Sequence, residues 1–162
     1  MALTIIQKKK IIKTYHTLAK KAFSLIIADI SKITVNEINY LRQKNRLKNV
    51  IISVVKNTLL KKSLISTPFS ILNKILKGTT LLAFSMKHPG SASRIFLNYA
   101  KKNKNFKIKT AIFEGKILSN SEIKKLSLIP TYSEALQQLL FLFQEISIRK
   151  LLRILFNITQ KK

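Results

Sequence analysis

The stretch VIISVVKNTLLKKSL, Val50 to Leu64, decides the fold class of this chain. Five of its first six residues are β-branched, which predicts a strand, and the leucines and lysines after Asn57 predict a short helix. The same alternation of strand and helix recurs on both sides of this stretch. It predicts one α/β domain in which helices pack against a sheet of four or five strands.

The segments before this stretch follow the same pattern. Residues 3–21 predict a basic amphipathic helix, and residues 24–30 predict a buried strand. Thr34 and Glu37 form a capping box that begins a helix over residues 35–47. Within the stretch itself, Asn57 or Thr58 is expected to cap the helix, while lysines beside it face an anion at its positive end.

The segments after this stretch complete the domain near Pro130. The residue patterns predict, in order, a helix that Thr67 caps and Gly78 ends, a strand over 79–85, a proline-started helix over 88–102, a strand over 106–113 and a capped helix over 119–129. In the last strand, Phe106, Ile108 and Ile112 alternate with Lys107 and Lys109, so one buried and one basic face are expected.

From Thr131 onward the sequence has the pattern of a single long helix. Thr131 and Glu134 form a further capping box, and neither Gly nor Pro follows, which predicts a helix of almost thirty residues, about 40 Å long. Its apolar residues form two sets: Leu136, Leu139, Leu140 and Phe143, then Ile148, Leu151, Leu152, Leu155 and Ile158. The phase of the stripe changes near Ser147, so we expect two separate docking patches; packing of the helix on its own domain is the alternative.

The charge of the chain is its strongest global feature. It carries 31 basic and 6 acidic residues, a net charge of +25, and no acid stands between Glu37 and Glu114. Such a charge favours a polyanion as partner, either nucleic acid or an anionic membrane surface. The alternative is compositional drift in an AT-rich genome, which exchanges Arg for Lys but does not remove acids.

The residue inventory argues against an enzyme and against a cofactor. There is no cysteine, His16 and His88 lack carboxylates at metal-binding spacing, and Asp29 has no partner acid or base nearby in the sequence. The three glycines are isolated and form no phosphate-binding loop. The start has no secretory pattern, and the apolar runs are shorter than the ~18 residues that span a membrane.

Several short motifs of the sequence together resemble those of a known family, the bacterial stalk-base protein of the large ribosomal subunit. This is the tenth protein in the large-subunit series, and the resemblance is to its proteobacterial form. The matching motifs are MAL at the start, ITVNEINYLR (33–42), VVKNTLLKK (54–62), STPF (66–69), GTTLLAFSMKHPGSASR (78–94), AIFEGKIL (111–118) and LSLIPTYSEAL (126–136). They occur in the family's order and cover almost the whole chain.

The resemblance implies a cytoplasmic, ribosome-bound structural protein with a ferredoxin-like domain over 1–130. That domain would bind the ribosomal RNA of the GTPase-associated region beside the eleventh large-subunit protein. A C-terminal helix over 131–162 would carry dimers of the seven/twelve stalk protein, two of them on the length seen here, and these recruit translation GTPases. The competing interpretation is a free-standing basic RNA-binding protein or RNA chaperone, which needs no exposed apolar helix.

Residues can be assigned to both predicted surfaces. The predicted RNA-binding residues are Lys8, Lys9, Lys10, Lys13, Arg42, Arg46, Lys56, Asn57, Thr58, Lys61 and Lys62. The predicted stalk-protein-binding residues are Leu136, Leu139, Leu140, Phe143, Leu151, Leu152, Leu155 and Ile158. Each single lysine could equally be an ordinary solvated surface charge. Arg42 and Arg46 stand four residues apart and so share one helix face.

Overall fold

The computed structural model describes residues 4–31, 33–103 and 105–160, and the predicted helix start at Leu3 lies outside them. The elements are α1 (Ile5–Lys21), β1 (Ser24–Asp29), α2 (Val35–Leu47), β2 (Val50–Val54), α3 (Asn57–Ser63), a 3₁₀ helix (Ser70–Lys74), β3 (Leu81–Ser85), α4 (Ser91–Lys102), β4 (Lys107–Phe113), β5 (Lys116–Leu118), α5 (Asn120–Leu128), α6 (Tyr132–Gln144), a π-helical turn (Glu145–Arg149) and α7 (Lys150–Gln160). The chain divides into two compact units, residues 1–129 and 130–162.

The first unit is built on a five-stranded antiparallel sheet in the order β2-β3-β1-β4-β5. Four of these strands and the crossover helices α2 and α4 form the split βαβ arrangement of ferredoxin-like folds, in which each pair of strands joined by a helix has another strand between them. The short strand β5 extends the sheet beyond β4. The predicted fold class is confirmed.

Both faces of the sheet are covered. On one face α2, α4 and α5 supply Leu41, Phe96 and Ile123 to a core with Ile26 of β1. On the other face α1, α3 and the 3₁₀ helix supply side chains to a second core, whose buried members include Ala19, Leu25, Ile27, Leu60, Leu64, Phe69, Leu72, Leu76, Leu82, Phe84 and Ile112. The central strands therefore read as continuous apolar runs, because neither of their faces meets water.

The capping boxes lie where the sequence predicts them. The hydroxyls of Thr34 and Thr131 accept from the backbone N–H of Glu37 and Glu134, and each glutamate accepts from the N–H of its threonine. Helices α2 and α6 therefore begin at the predicted residues.

The helix predicted after Thr67 and Pro68 is wrong. Thr67 is buried and donates its hydroxyl to the Leu64 carbonyl at 2.7 Å, and the helix that follows has Phe69, not Thr67, at its N-cap. Only a 3₁₀ helix forms, from Ser70, where Phe69 and Leu72 are buried in the second core. Likewise α4 begins at Ser91, two residues after the proline that was expected to start it.

The strict alternation predicted for β4 is also wrong. Ile27 and Ala28 of β1 pair with Thr110 and Ile108, so Lys109 is an extra residue in a β-bulge. The bulge shifts the side-chain pattern by one residue. Ile108 then packs in the first core and Ile112 in the second, on opposite faces of the sheet.

Candidate functional site

Helices α1 and α3 lie side by side over one face of the sheet. His16 in α1 donates its Nδ1–H to the Ser63 carbonyl at the end of α3, at 3.0 Å, and the Tyr15 ring stacks on Phe84 of β3 with 6.2 Å between centroids. Ala19 of α1 is buried in the same core as α3. These contacts bring two segments about 45 residues apart in sequence into one layer.

This layer gathers most of the predicted RNA-binding cations. It holds seven of the predicted lysines, all of them exposed: Lys8, Lys9, Lys10 and Lys13 on α1 and Lys56, Lys61 and Lys62 at α3. Neither helix contains an acidic residue. We call these seven lysines the α1–α3 basic face, and its side chains can reach the phosphates of a nucleic acid without competition from carboxylates on the same helices.

Asn57 and Thr58 do not cap α3, so that prediction is wrong. The N-cap position is Lys56, which makes no side-chain capping bond. Asn57 instead donates from Nδ2 to the Gly78 carbonyl at 2.8 Å and accepts from the Thr80 hydroxyl at 2.6 Å. Its side chain therefore ties the start of α3 to the turn before β3, because both ends of the amide are used.

The lysines of α3 occupy both ends of the helix. Lys56 precedes the first turn, whereas Lys61 and Lys62 stand in the last turn, about 8 Å further along the axis. They therefore do not converge on one anion at the positive end. A run of phosphates along the helix fits this spacing better than a single phosphate does.

A polar network supports the turn that holds Asn57. The Thr79 hydroxyl donates to Asp29 Oδ1 at 2.7 Å, and Lys109 Nζ lies 3.5 Å from Asp29 Oδ2. Lys109 also donates to the carbonyls of Lys77 and Thr79 at 2.9 and 3.2 Å. The hydrogen bonds from Thr79 and from the Ser31 backbone, with the charge of Lys109, lower the pKa of Asp29 from 3.8 to about 2.

This network explains two residues that the sequence left unassigned. Asp29 has a partner, Lys109, which stands eighty residues further along the chain, and the β-bulge makes Lys109 available for it. Sequence spacing could not reveal the pair, because the sheet register alone brings them together. Lys109 is thus a structural cation rather than part of a free basic face.

The two predicted arginines are separated from the α1–α3 basic face. Arg42 and Arg46 are exposed on α2, which packs on the opposite side of the sheet. Arg42 donates from Nη1 to Asn39 Oδ1 at 3.2 Å, along its own helix. A single flat surface cannot include both groups, so the predicted RNA-binding set is divided between two faces.

In the second unit, the helix exposes its apolar residues. None of the residues of α6 is buried, and the two predicted sets are each exposed by about half or more: Leu136, Leu139, Leu140, Phe143, Leu151, Leu152, Leu155 and Ile158. Ile148, also in the predicted second set, has a side chain outside the described part. An exposed apolar surface of this extent is typical of a protein-binding site.

The π-helical turn realigns the two apolar sets. An uninterrupted α-helix would continue the first set at Ser147 and Lys150, one residue before Ile148 and Leu151 of the second. An i to i+5 turn takes in about one residue more than an α turn, which corresponds to about 100° of rotation. The turn at Glu145–Arg149 therefore rotates the second set back toward the side of the first. The two apolar sets therefore lie in similar directions, whereas the sequence predicted that they differ in phase.

Comparison with known proteins agrees with this architecture. The family model for ribosomal protein L10 matches residues 4–101. The chain belongs to the ribosomal protein L10 family. It is 54% identical over 161 residues to large ribosomal subunit protein uL10 of Buchnera aphidicola subsp. Cinara cedri, covering 99% of this chain and 100% of the relative. It is 45% identical to the same protein of Buchnera aphidicola subsp. Schizaphis graminum, with coverage of 100% and 98%. The protein of Wigglesworthia glossinidia brevipalpis is 43% identical, with 96% of each chain covered.

Membership of the L10 family confirms the predicted resemblance, and makes the chain a structural protein of the large ribosomal subunit rather than an enzyme. Within residues 4–31, 33–103 and 105–160, no cluster of side chains is suited to hold a metal ion. None of the described helices is long and apolar enough to cross a bilayer.

Proposed function

We propose that this L10-family chain binds large-subunit ribosomal RNA through the α1–α3 basic face and anchors two seven/twelve stalk dimers on α6 and α7. The RNA would be that of the GTPase-associated region, beside the eleventh large-subunit protein. The stalk dimers would recruit translation GTPases, so this chain would act on them indirectly. The observation that carries the proposal is the division of chemistry between the units: a lysine layer on the first and an uncovered apolar helix on the second.

The RNA contact is expected to be electrostatic. Each phosphate that a lysine neutralises releases counterions, so log affinity falls with log salt concentration. Contact by most of the seven lysines predicts a slope of about −4 to −6. Lys61→Ala with Lys62→Ala should weaken binding and make the slope shallower by about 2.

This prediction can be measured by fluorescence anisotropy of a labelled large-subunit RNA fragment at several salt concentrations. The matched control is Lys116→Ala with Lys150→Ala, which removes the same charge from β5 and α7. A salt-independent affinity, or equal losses in both double variants, would contradict binding at the α1–α3 basic face.

The helix is proposed to bind its partners along one side. The centres of the two apolar sets lie about 20 Å apart along the axis, and the π-helical turn places them in similar directions. Leu136, Leu140 and Phe143 would hold one dimer, and Leu151, Leu155 and Ile158 the other. This arrangement resembles helix-in-groove recognition, in which residues at helical spacing serve as anchors.

Native mass spectrometry of the complex with the stalk protein tests this arrangement. Leu151→Asp with Leu155→Asp should remove one dimer, two partner chains, and leave RNA affinity unchanged, since α7 is remote in sequence from α1 and α3. Arg153→Gln changes a neighbouring charged residue on α7 and should keep the full complement. If the leucine variant still carries every dimer, the second patch is not a binding site.

A further inference from the structure

A second concave surface lies on the side of the sheet opposite to the α1–α3 basic face. Between α2 and α4 there is a cavity of about 310 Å³, at the lower end of the range of small-ligand sites. The residues at its opening are Tyr40, Lys44, Leu47, Lys48, Asn98 and Lys102, and its floor is buried core of α2 and α4. We call it the tyrosine cavity.

The tyrosine cavity presents an exposed ring and an exposed leucine. Tyr40 is 43% exposed and Leu47 is 86% exposed. Lys44 Nζ stands 4.5 Å from the Tyr40 ring centroid and holds the ring in place through a cation–π contact. A hydrogen bond from Lys44 also lowers the pKa of Tyr40. Together these residues offer a flat apolar surface surrounded by positive charge.

The charges around the tyrosine cavity have one sign. Lys44, Lys48 and Lys102 line it and are exposed, and none of the described residues that line it is acidic. The Glu37 carboxylate approaches the floor of the cavity, where it hydrogen-bonds with the buried lining residue Tyr99 and accepts from the Asn103 side chain at 2.9 Å, so the positive charges alone are at the opening. A ligand here is therefore expected to be anionic.

A basic groove continues from the tyrosine cavity toward α5. It shares Lys48 and Asn98 with the cavity and adds Lys101 and Lys124. The Asn98 side chain makes no hydrogen bond to another described residue, so its donor and acceptor remain available. Arg94 also lines the groove, but it holds the carboxyl end of α5 by donating to the carbonyls of Ser127 and Ile129, both at 2.7 Å.

We propose that the tyrosine cavity and its groove bind a single-stranded RNA segment, with one unstacked base against Tyr40 and Leu47. The Asn98 amide would meet the edge of that base, and Lys48 and Lys102 would meet the adjacent phosphates, while Lys44 stays over the Tyr40 ring. A stacking platform beside a lysine track is the arrangement by which proteins hold single strands. A duplex keeps its bases stacked inside and could not fill the cavity.

This site goes beyond the proposed stalk-base function, because it lies on the other face of the sheet. It would let the first unit contact two RNA segments at once, one on each side. Arg42 and Arg46, which the α1–α3 basic face does not include, belong to the same helix as Tyr40 and Lys44 and would add to the positive potential on this side.

The test uses the full chain and a labelled single-stranded oligouridine, with an RNA duplex of equal length as comparison. Base stacking is worth about 5- to 150-fold in affinity per base. Tyr40→Ala should lower affinity for the single strand at least fivefold, and change duplex affinity by less than twofold. Tyr40→Phe keeps the ring and should retain the affinity. Since Tyr40 is partly exposed on a helix, where Ala is favourable, Tyr40→Ala should melt at or near the wild-type temperature.

Three outcomes would overturn the proposal: an unchanged single-strand affinity in Tyr40→Ala, equal losses for single strand and duplex, or competition by uridine monophosphate as strong as that by the oligonucleotide. An acidic peptide that displaces the strand at lower concentration than RNA would assign the site to a protein instead. Lys61→Ala with Lys62→Ala reports separately on the α1–α3 basic face, so failure of one site leaves the other measurable.

Discussion

Asp29→Asn tests whether the network under the α3 turn is a charged one. Asn keeps an oxygen that accepts from the Thr79 hydroxyl and the Ser31 N–H, but removes the charge that faces Lys109. The folded-state pKa of about 2, against an ordinary 3.8, corresponds to about 2.4 kcal/mol if fully realised. The hydrogen bonds from Thr79 and Ser31 account for more of this shift than the charge of Lys109 does, and Asn keeps them only in the weaker, neutral form. The side chains of Asp29 and Lys109 are 30% and 25% exposed, so solvent screening reduces the expected contribution to about 1–2 kcal/mol.

The sign of the pH dependence follows from the direction of the shift. Because the pKa of Asp29 is lower in the folded protein, its stabilisation is complete above about pH 5 and is lost as the pH falls through 4 toward 2. At pH 7 Asp29→Asn should therefore melt about 2–8 °C below the wild type. Near pH 2 the wild-type carboxyl is about half protonated and most of its stabilisation is lost, so the two melting temperatures should converge.

Thermal unfolding followed by circular dichroism from pH 2 to pH 7 gives this comparison. Glu114→Gln is the matched control, since it also removes one of six acids but from an exposed turn. It corrects for the general effect of raising an already large positive charge. Equal stability of Asp29→Asn and wild type at pH 7, or a gap that persists at pH 2, would refute a charged network.

Three further substitutions have expected outcomes in urea unfolding. Gly90→Ala should cost about 1–3 kcal/mol, because an added Cβ would lie 2.6 Å from the Leu126 carbonyl oxygen and force α4 and α5 apart; no loss would mean that this approach is looser than described. Asn57→Ala removes the hydrogen bonds to Gly78 and Thr80 and should cost about 1–2 kcal/mol, a value that an Asn57→Asp control should partly restore through the Thr80 bond. Thr34→Ala removes the cap of α2 and should cost about 1 kcal/mol, whereas Thr34→Ser should cost little; equal losses would argue against the capping role.

Local chemistry made the helix starts predictable. A threonine followed three residues later by a glutamate closes its two hydrogen bonds within one turn, so Thr34 and Thr131 could be identified without knowing the rest of the fold. The central strands β1 and β3 were equally clear, since short apolar runs bounded by turn residues are typical of strands that are buried on both faces. The alternation of these elements was enough to give an α/β domain on a sheet of four or five strands, whereas the ferredoxin-like arrangement was implied only by the family resemblance.

The sequence did not predict features that depend on the folded arrangement of the chain. Thr67 and Asn57 look like caps in the sequence, but each finds a different hydrogen-bond partner once the chain is folded. The strand β5 has only three residues and pairs because β4 is already in place. The bulge at Lys109 likewise goes with a contact to Asp29, eighty residues away, which no local pattern encodes.

The candidate sites were also predictable only in part, because their residues could be chosen locally but their arrangement depends on the fold. Exposed lysines on α1 and α3 could be chosen from charge alone, but their grouping into one layer needed the contact between His16 and Ser63. The sequence revealed a phase change near Ser147, yet the direction of the second apolar set depends on the π-helical turn. The tyrosine cavity combines residues of α2 and α4 that no spacing rule would join.

The most direct test is to add the purified chain and the stalk protein to large ribosomal subunits that lack both, and to count the bound chains after sedimentation. The proposed function predicts one copy of this chain per subunit with two stalk dimers. It also predicts that Leu151→Asp with Leu155→Asp keeps the single copy but reduces the dimers to one. Sedimentation of this chain apart from the subunit, or stalk dimers bound equally well without it, would contradict its role as the stalk base.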